Sequence, residues 1–122
     1  MEKLIKLEEL GQFLLSIILF SQLEFAWWIF PACILIPDLS MLGYLAGPKI
    51  GARIYNFFHH KLLAVIVLML GFYFNTPLLT LSGVLLFGHS AMDRMFGYGL
   101  KFDDSFNNTH LGLIGKNKLE SQ

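Results

Sequence analysis

Four apolar stretches decide what this chain can become: residues 7–23, 25–44, 55–74 and 77–96. Each is near the ~20 residues that a helix needs to cross the hydrocarbon core of a bilayer. The third contains "LLAVIVLML", which has no polar residue at any helical spacing and so no face to turn to water. The rest of the composition agrees. Only 15% of the residues are charged, against about 25% in soluble domains, and the mean hydropathy is +0.58. At 122 residues the chain is sized for one domain. Nine basic and nine acidic residues cancel, so no bulk charge points to nucleic acid.

The charges are unevenly placed, and that sets an orientation. Lys3 and Lys6 precede the first stretch. Lys49, Arg53 and Lys61 lie between the second and third or at the start of the third. Arg94, Lys101, Lys116 and Lys118 end or follow the fourth. The turns "SQLEF" and "FNTP" carry no Lys or Arg. Positive charge stays inside, so the N-terminus, the middle loop and the tail are expected in the cytoplasm. Trp27, Trp28, Phe72, Tyr73 and Phe74 then fall at the outer interface, where aromatic rings concentrate. The expected fold is all-α: a four-helix transmembrane bundle of two helical hairpins, with both termini cytoplasmic. Residues 1–101 form the membrane domain and 102–122 a polar cytoplasmic tail. The expected location is the inner (plasma) membrane, in multi-pass form, with the bilayer as partner. The loop "AGPKIGAR" reads as a break between helices. No small-residue cleavage site follows the first apolar stretch, so no cleaved signal is expected. The lone cysteine, Cys33, sits in an apolar run and reads as a small buried hydrophobe.

Ionisable residues inside such stretches are expensive and mark function. Measured from the outer ends of their helices at ~1.5 Å per residue, Glu8, Asp38, His59, His89 and Asp93 all lie about 18–24 Å in. They therefore share the cytoplasmic half. His89 and Asp93 are four apart and share a helix face. His59 is preferred to His60 because Asn56, three residues earlier, lies on its side. Pro37 should kink or unwind the second helix at Asp38, and unwound backbone at membrane depth is tolerated where it lines a cavity or is buried in protein. The expectation is a single cluster of these five residues. Glu9 reads as an ordinary first-turn acid. Gly97 and Gly99, around Tyr98, read as a helix C-terminus.

Two imidazoles with two or three carboxylates suit a divalent ion such as Zn, Mn or Fe. Asp38, His59, His89 and Asp93 are the expected metal ligands. Glu8 is a further ligand or the general base, and Arg94 and Lys101 hold an anionic group of the substrate. The activity expected of such a site is hydrolysis of a lipid-like or amphipathic substrate by metal-activated water. Readings of other classes are a haem binder using His59 and His89 as axial ligands, a transporter, and a non-catalytic binding or structural membrane protein. His110, in the tail, reads as a solvated histidine.

The segments "LEEL", "PDLSMLGY", "GPKIGARIYNFFHHK", "HSAMDRMFGYGLK" and "THLG" together resemble a bacterial family of small multi-pass membrane proteins known as domain of unknown function 4260. The resemblance covers nearly the whole chain and implies no established activity. It includes Glu8, Asp38, Asn56, His59, His89, Asp93, Arg94, Lys101 and His110. A weaker similarity is to inner-membrane metal-dependent hydrolases that carry Pro-Asp-x-Asp, Thr-His-Ser and His-x-x-x-Asp. Pro37-Asp38 and His89 to Asp93 match those patterns. Ser40 stands where the second Asp would be, and "NFFHHK" lacks the Thr-His-Ser companion.

Overall fold

Helix α1 runs over Glu2–Ser21 and is followed by the short α2, Ile29–Cys33. The computed structural model describes residues 1–97, 99–100, 108–109 and 112–113. After α2 the backbone tightens into a 3-10 helix over Ile36–Ala46, with Pro37 in its first turn. A run of eleven residues is long for a 3-10 helix. The change begins where Pro37 removes a donor, as the sequence leads one to expect. Helices α3 (Pro48–His59), α4 (Lys61–Tyr73) and α5 (Pro77–Met95) complete the helical part. Beyond it lies a two-residue antiparallel pairing of β1, Asn108–Thr109, with β2, Gly112–Leu113. The described fold is thus helical almost throughout.

Two boundaries differ from expectation. The stretch "AGPKIGAR" is not an open loop: the turn contracts to Gly47, whose φ of 114° suits glycine, and α3 starts at once on Pro48. Proline is at home in the first helical turn because its missing N–H needs no partner there. Lys49 and Arg53 stay exposed while Gly51, Ala52, Tyr55 and His59 are buried, which is helical spacing. The interruption falls later, at His60, whose φ of −88° and ψ of 126° are extended. There α3 and α4 meet at a bend of 44°. The His60 ring restarts the helix by accepting a hydrogen bond from the Leu62 backbone N–H at 3.1 Å.

One helical run, Ile29–Ala46, is long and apolar enough to cross a membrane, and the bent α3–α4 pair passes the same criterion when taken as one broken span. Helix α1 is too charged in its first turns, and α5 carries His89, Asp93 and Arg94.

Helix α5 is the centre of the assembly and packs against both α1 and α4, while α3 packs on the 3-10 helix. Leu81, Val84 and Leu85 of α5 form the core with Phe20, Phe30 and Ile34. Phe30 lies between Phe13 and Phe20, with ring centroids 6.0 and 5.4 Å away. Small residues set the spacing. A Cβ on Gly83 would stand 2.6 Å from the Leu68 backbone nitrogen, and one on Gly88 would stand 2.6 Å from Ser16 Oγ. Helix α5 stops at Met95, and Gly97 (φ 89°) donates its N–H back to the Arg94 carbonyl, the expected glycine terminus.

Candidate metal centre

Three elements bring four side chains to one point. Helix α5 presents His89 and, one turn on, Asp93. Helix α3 ends on His59, and the first turn of the 3-10 helix carries Asp38. One ligand atom from each lies within 4.8 Å of every other. His59 Nε2 is 3.0 Å from His89 Nε2, 3.3 Å from Asp38 Oδ1 and 3.4 Å from Asp93 Oδ2. His89 Nε2 is 3.0 Å from Asp38 Oδ1 and 3.4 Å from Asp93 Oδ2. Zinc bonds of ~2.0–2.1 Å to nitrogen and oxygen in a tetrahedron give edges of about 3.3 Å. The five contacts that involve a histidine nitrogen sit around that length, and the two carboxylates lie within 4.8 Å of each other.

The second atoms of the rings fix which nitrogen faces inward. His59 Nδ1 donates to the Tyr55 carbonyl at 2.9 Å, and His89 Nδ1 donates to the Ile34 carbonyl at 2.7 Å. A carbonyl can only accept, so each Nδ1 carries a proton, and in the neutral ring each Nε2 then offers a lone pair to the centre. Backbone acceptors behind ligating histidines are the usual way of setting tautomer and orientation. The Ile34 carbonyl is available because α2 has just ended, where carbonyls lack an intrahelical partner. Four acceptors this close repel one another unless a cation or a shared proton lies among them.

The surroundings hold the rings firmly. Both histidines are fully buried. Tyr55 stacks on His59 at a centroid distance of 3.7 Å and donates from its hydroxyl to Asp93 Oδ2 at 3.2 Å. The break at His60 leaves the His59 carbonyl for other donors: Ser90 Oγ at 2.9 Å and Arg94 Nη2 at 3.1 Å, both from α5. The Asp38 side chain is 38% exposed against 11% for Asp93, so Asp38 marks the open side of the group. Replacing Tyr55 with Phe keeps the stack and removes the hydrogen bond to Asp93. We expect zinc affinity to fall about 10- to 100-fold, read by competition with a chromophoric chelator. Unchanged affinity would show that this hydroxyl does not support the centre.

The five-residue cluster expected from the sequence loses one member. Glu8 is exposed, and it is Glu9, one residue on and about 100° around the helix, that faces inward. Glu9 is paired with Lys61 at the start of α4, so it is more than a first-turn acid. Arg94 is buried and engaged with the His59 carbonyl. Asn56 is half-buried and His60 is exposed. Lys101 and His110 lie outside the described residues. Tyr55 and Ser90 are parts of the site that sequence reasoning missed. Tyr55 stands four before His59, the same spacing that joins His89 to Asp93. The haem reading fails on geometry: axial histidines must flank an iron and its macrocycle, and these two Nε2 atoms are 3.0 Å apart.

No curated protein and no solved structure matches this chain. A family model does, over residues 2–114, which takes in all four side chains of the centre, and the chain belongs to that family, described as a domain of unknown function (DUF4260).

Proposed function

We propose that this protein is a membrane-embedded, metal-dependent hydrolase with a two-His, two-Asp centre acting on a lipid-like or amphipathic substrate. The observation that carries the metal is the set of contacts of 3.0–3.4 Å among four inward-facing acceptors, two of them with tautomers fixed by backbone carbonyls. The two-nitrogen, two-carboxylate donor set favours zinc, with manganese or iron as the other candidates. A divalent ion so held supplies Lewis-acid chemistry toward an ester or phosphoester and toward water. Asp38, on the open side, faces the arriving substrate, while Asp93 and both histidines form the closed side. In the hydrolysis, water oxygen bonds to the acyl carbon or phosphorus, the bond to the alcohol oxygen breaks, and the alcohol leaves with a proton. Arg94 acts through the His59 carbonyl as a positioning residue. Lys101, the other cation expected to hold an anionic group, lies outside the described residues.

The membrane reading rests on the outer faces of the helices. Leu45, Trp27, Tyr73, Leu78, Met69 and Leu62 are all more than half exposed. Apolar surface on this scale marks contact with lipid or a partner. We assign four spans, α1, α2 with the 3-10 helix, α3 with α4, and α5. The N-terminus, the Gly47 turn and residues 102–122 lie on the cytoplasmic side of the inner membrane, and residues 1–101 form the membrane domain.

Elemental analysis of detergent-purified full-length protein tests the metal. About one divalent ion per chain is expected, retained through gel filtration. Metal-free protein that also takes up no zinc on titration would leave a shared-proton network of His59, His89, Asp38 and Asp93 in place of a metal centre.

A further inference from the structure

Four side chains converge on the centre, but only three of them are held from behind. His59 is fixed by the Tyr55 carbonyl and by the Tyr55 ring stacked on it, and His89 by the Ile34 carbonyl. Asp93 accepts a hydrogen bond from the Tyr55 hydroxyl. Asp38 has no such support. Among the described residues, its carboxylate is hydrogen-bonded and ion-paired to the two imidazoles alone, through Oδ1 at 3.0 and 3.3 Å. Ligating carboxylates are ordinarily hydrogen-bonded in their turn. Exposure separates Asp38 further: its side chain is 38% exposed, that of Asp93 11% and both imidazoles 0%. The backbone beneath it is better held than the side chain. Pro37 before it and Ser40 after it are buried, and the Asp38 N–H donates to the Leu35 carbonyl at 3.0 Å. Rotation about the side-chain bonds is therefore enough to carry this carboxylate off the centre without a change of fold.

We infer that Asp38 is an exchangeable ligand, which closes the centre at rest and gives up its place to an incoming oxygen donor: a carboxylate, a hydroxamate, or the acyl or phosphoryl oxygen of the substrate. This rests on the metal-dependent reading above and says how a ligand gains entry to the same centre. Zinc sites closed by four protein ligands are structural, and those that act on substrates keep one position open. Four fixed ligands would therefore conflict with hydrolysis, and a fourth ligand that leaves removes the conflict. His59, His89 and Asp93 then remain, the three protein ligands usual for a catalytic zinc. They are the three that the surrounding chain holds in place.

Cobalt reports the exchange directly, because its visible absorption changes with the number and kind of its ligands. The experiment loads full-length protein in detergent with cobalt and titrates acetohydroxamate, an oxygen-donor chelator. The wild-type spectrum is expected to change saturably while about one cobalt per chain stays with the protein through gel filtration. Asp38→Ala is expected to keep its cobalt with affinity lowered about tenfold, the lower end of the cost of a supporting residue. Asp93→Ala is expected to lose at least about 100-fold, beyond that range. Acetate, which supplies the missing carboxylate, is expected to return the Asp38→Ala spectrum toward that of wild type. A wild-type cobalt spectrum that acetohydroxamate does not move overturns the inference and leaves a closed, four-ligand centre. Loss of cobalt from Asp38→Ala as severe as from Asp93→Ala does the same. Wild-type protein that binds neither cobalt nor zinc overturns the metal reading, and this inference with it.

Discussion

Replacing His89 with alanine is expected to abolish stoichiometric metal binding by the purified protein and to lower zinc affinity by at least about 100-fold, beyond the usual cost of a supporting residue. The reason is geometric. His89 Nε2 is 3.0 Å from both His59 Nε2 and Asp38 Oδ1, so it takes part in the two shortest contacts of the centre. Its ring is fully buried and its other nitrogen is tied to the Ile34 carbonyl, so it is held with Nε2 facing the other three side chains. Because alanine leaves a cavity in a packed helix, Asp93→Asn gives a second variant that keeps volume. It is expected to weaken zinc in the same direction while the protein elutes normally. Glu8→Gln is the control: the side chain is exposed, and its metal content should equal that of wild type. Wild-type zinc in His89→Ala would remove His89 from the ligand set. Acid should release the metal as well. Protons compete for the two Nε2 lone pairs and the carboxylates, so affinity falls as pH falls and recovers when pH is restored.

The largest expected loss of stability comes from Gly83→Leu. Helices α4 and α5 approach so closely there that a Cβ would lie 2.6 Å from the Leu68 nitrogen and 2.7 Å from its Cα. Those are backbone atoms, so relief requires the helices to separate rather than a side chain to rotate. Small residues permit this close approach between apolar helices. Overpacking typically costs about 1–3 kcal/mol, and a clash with backbone belongs at the upper end, corresponding to a melting temperature lower by on the order of 10 °C. Thermal unfolding in detergent, followed by size-exclusion fluorescence, reads it. Gly11→Ala is the matched control, since no atom of the described residues lies within 4 Å of a Cβ there. A Gly83→Leu protein that melts with wild type would mean that α4 and α5 are not held at this distance.

The four ligand candidates were legible because apolar surroundings make each ionisable residue conspicuous, and because helical periodicity pairs His89 with Asp93. His59 was separable from His60 on the same ground. Glu8 was misplaced because spacing within α1 says which residues share a face, not which face turns inward. The pairing of Glu9 with Lys61 of α4, 52 residues later in sequence, reveals that. The middle turn was drawn too wide because Gly and Pro in "AGPKIGAR" look like breakers, whereas Pro48 opens α3 and only Gly47 is non-helical. The true interruption at His60 carries neither Gly nor Pro.

That interruption has a mechanical meaning. In one unbroken rod from residue 48 to 73, the His59 oxygen would be consumed by the rod's own ladder, denying Ser90 and Arg94 this acceptor. The fracture instead makes the joint a tether to the central helix. Residues that straighten the joint are therefore expected to loosen the grip on the imidazole, although none of them touches it.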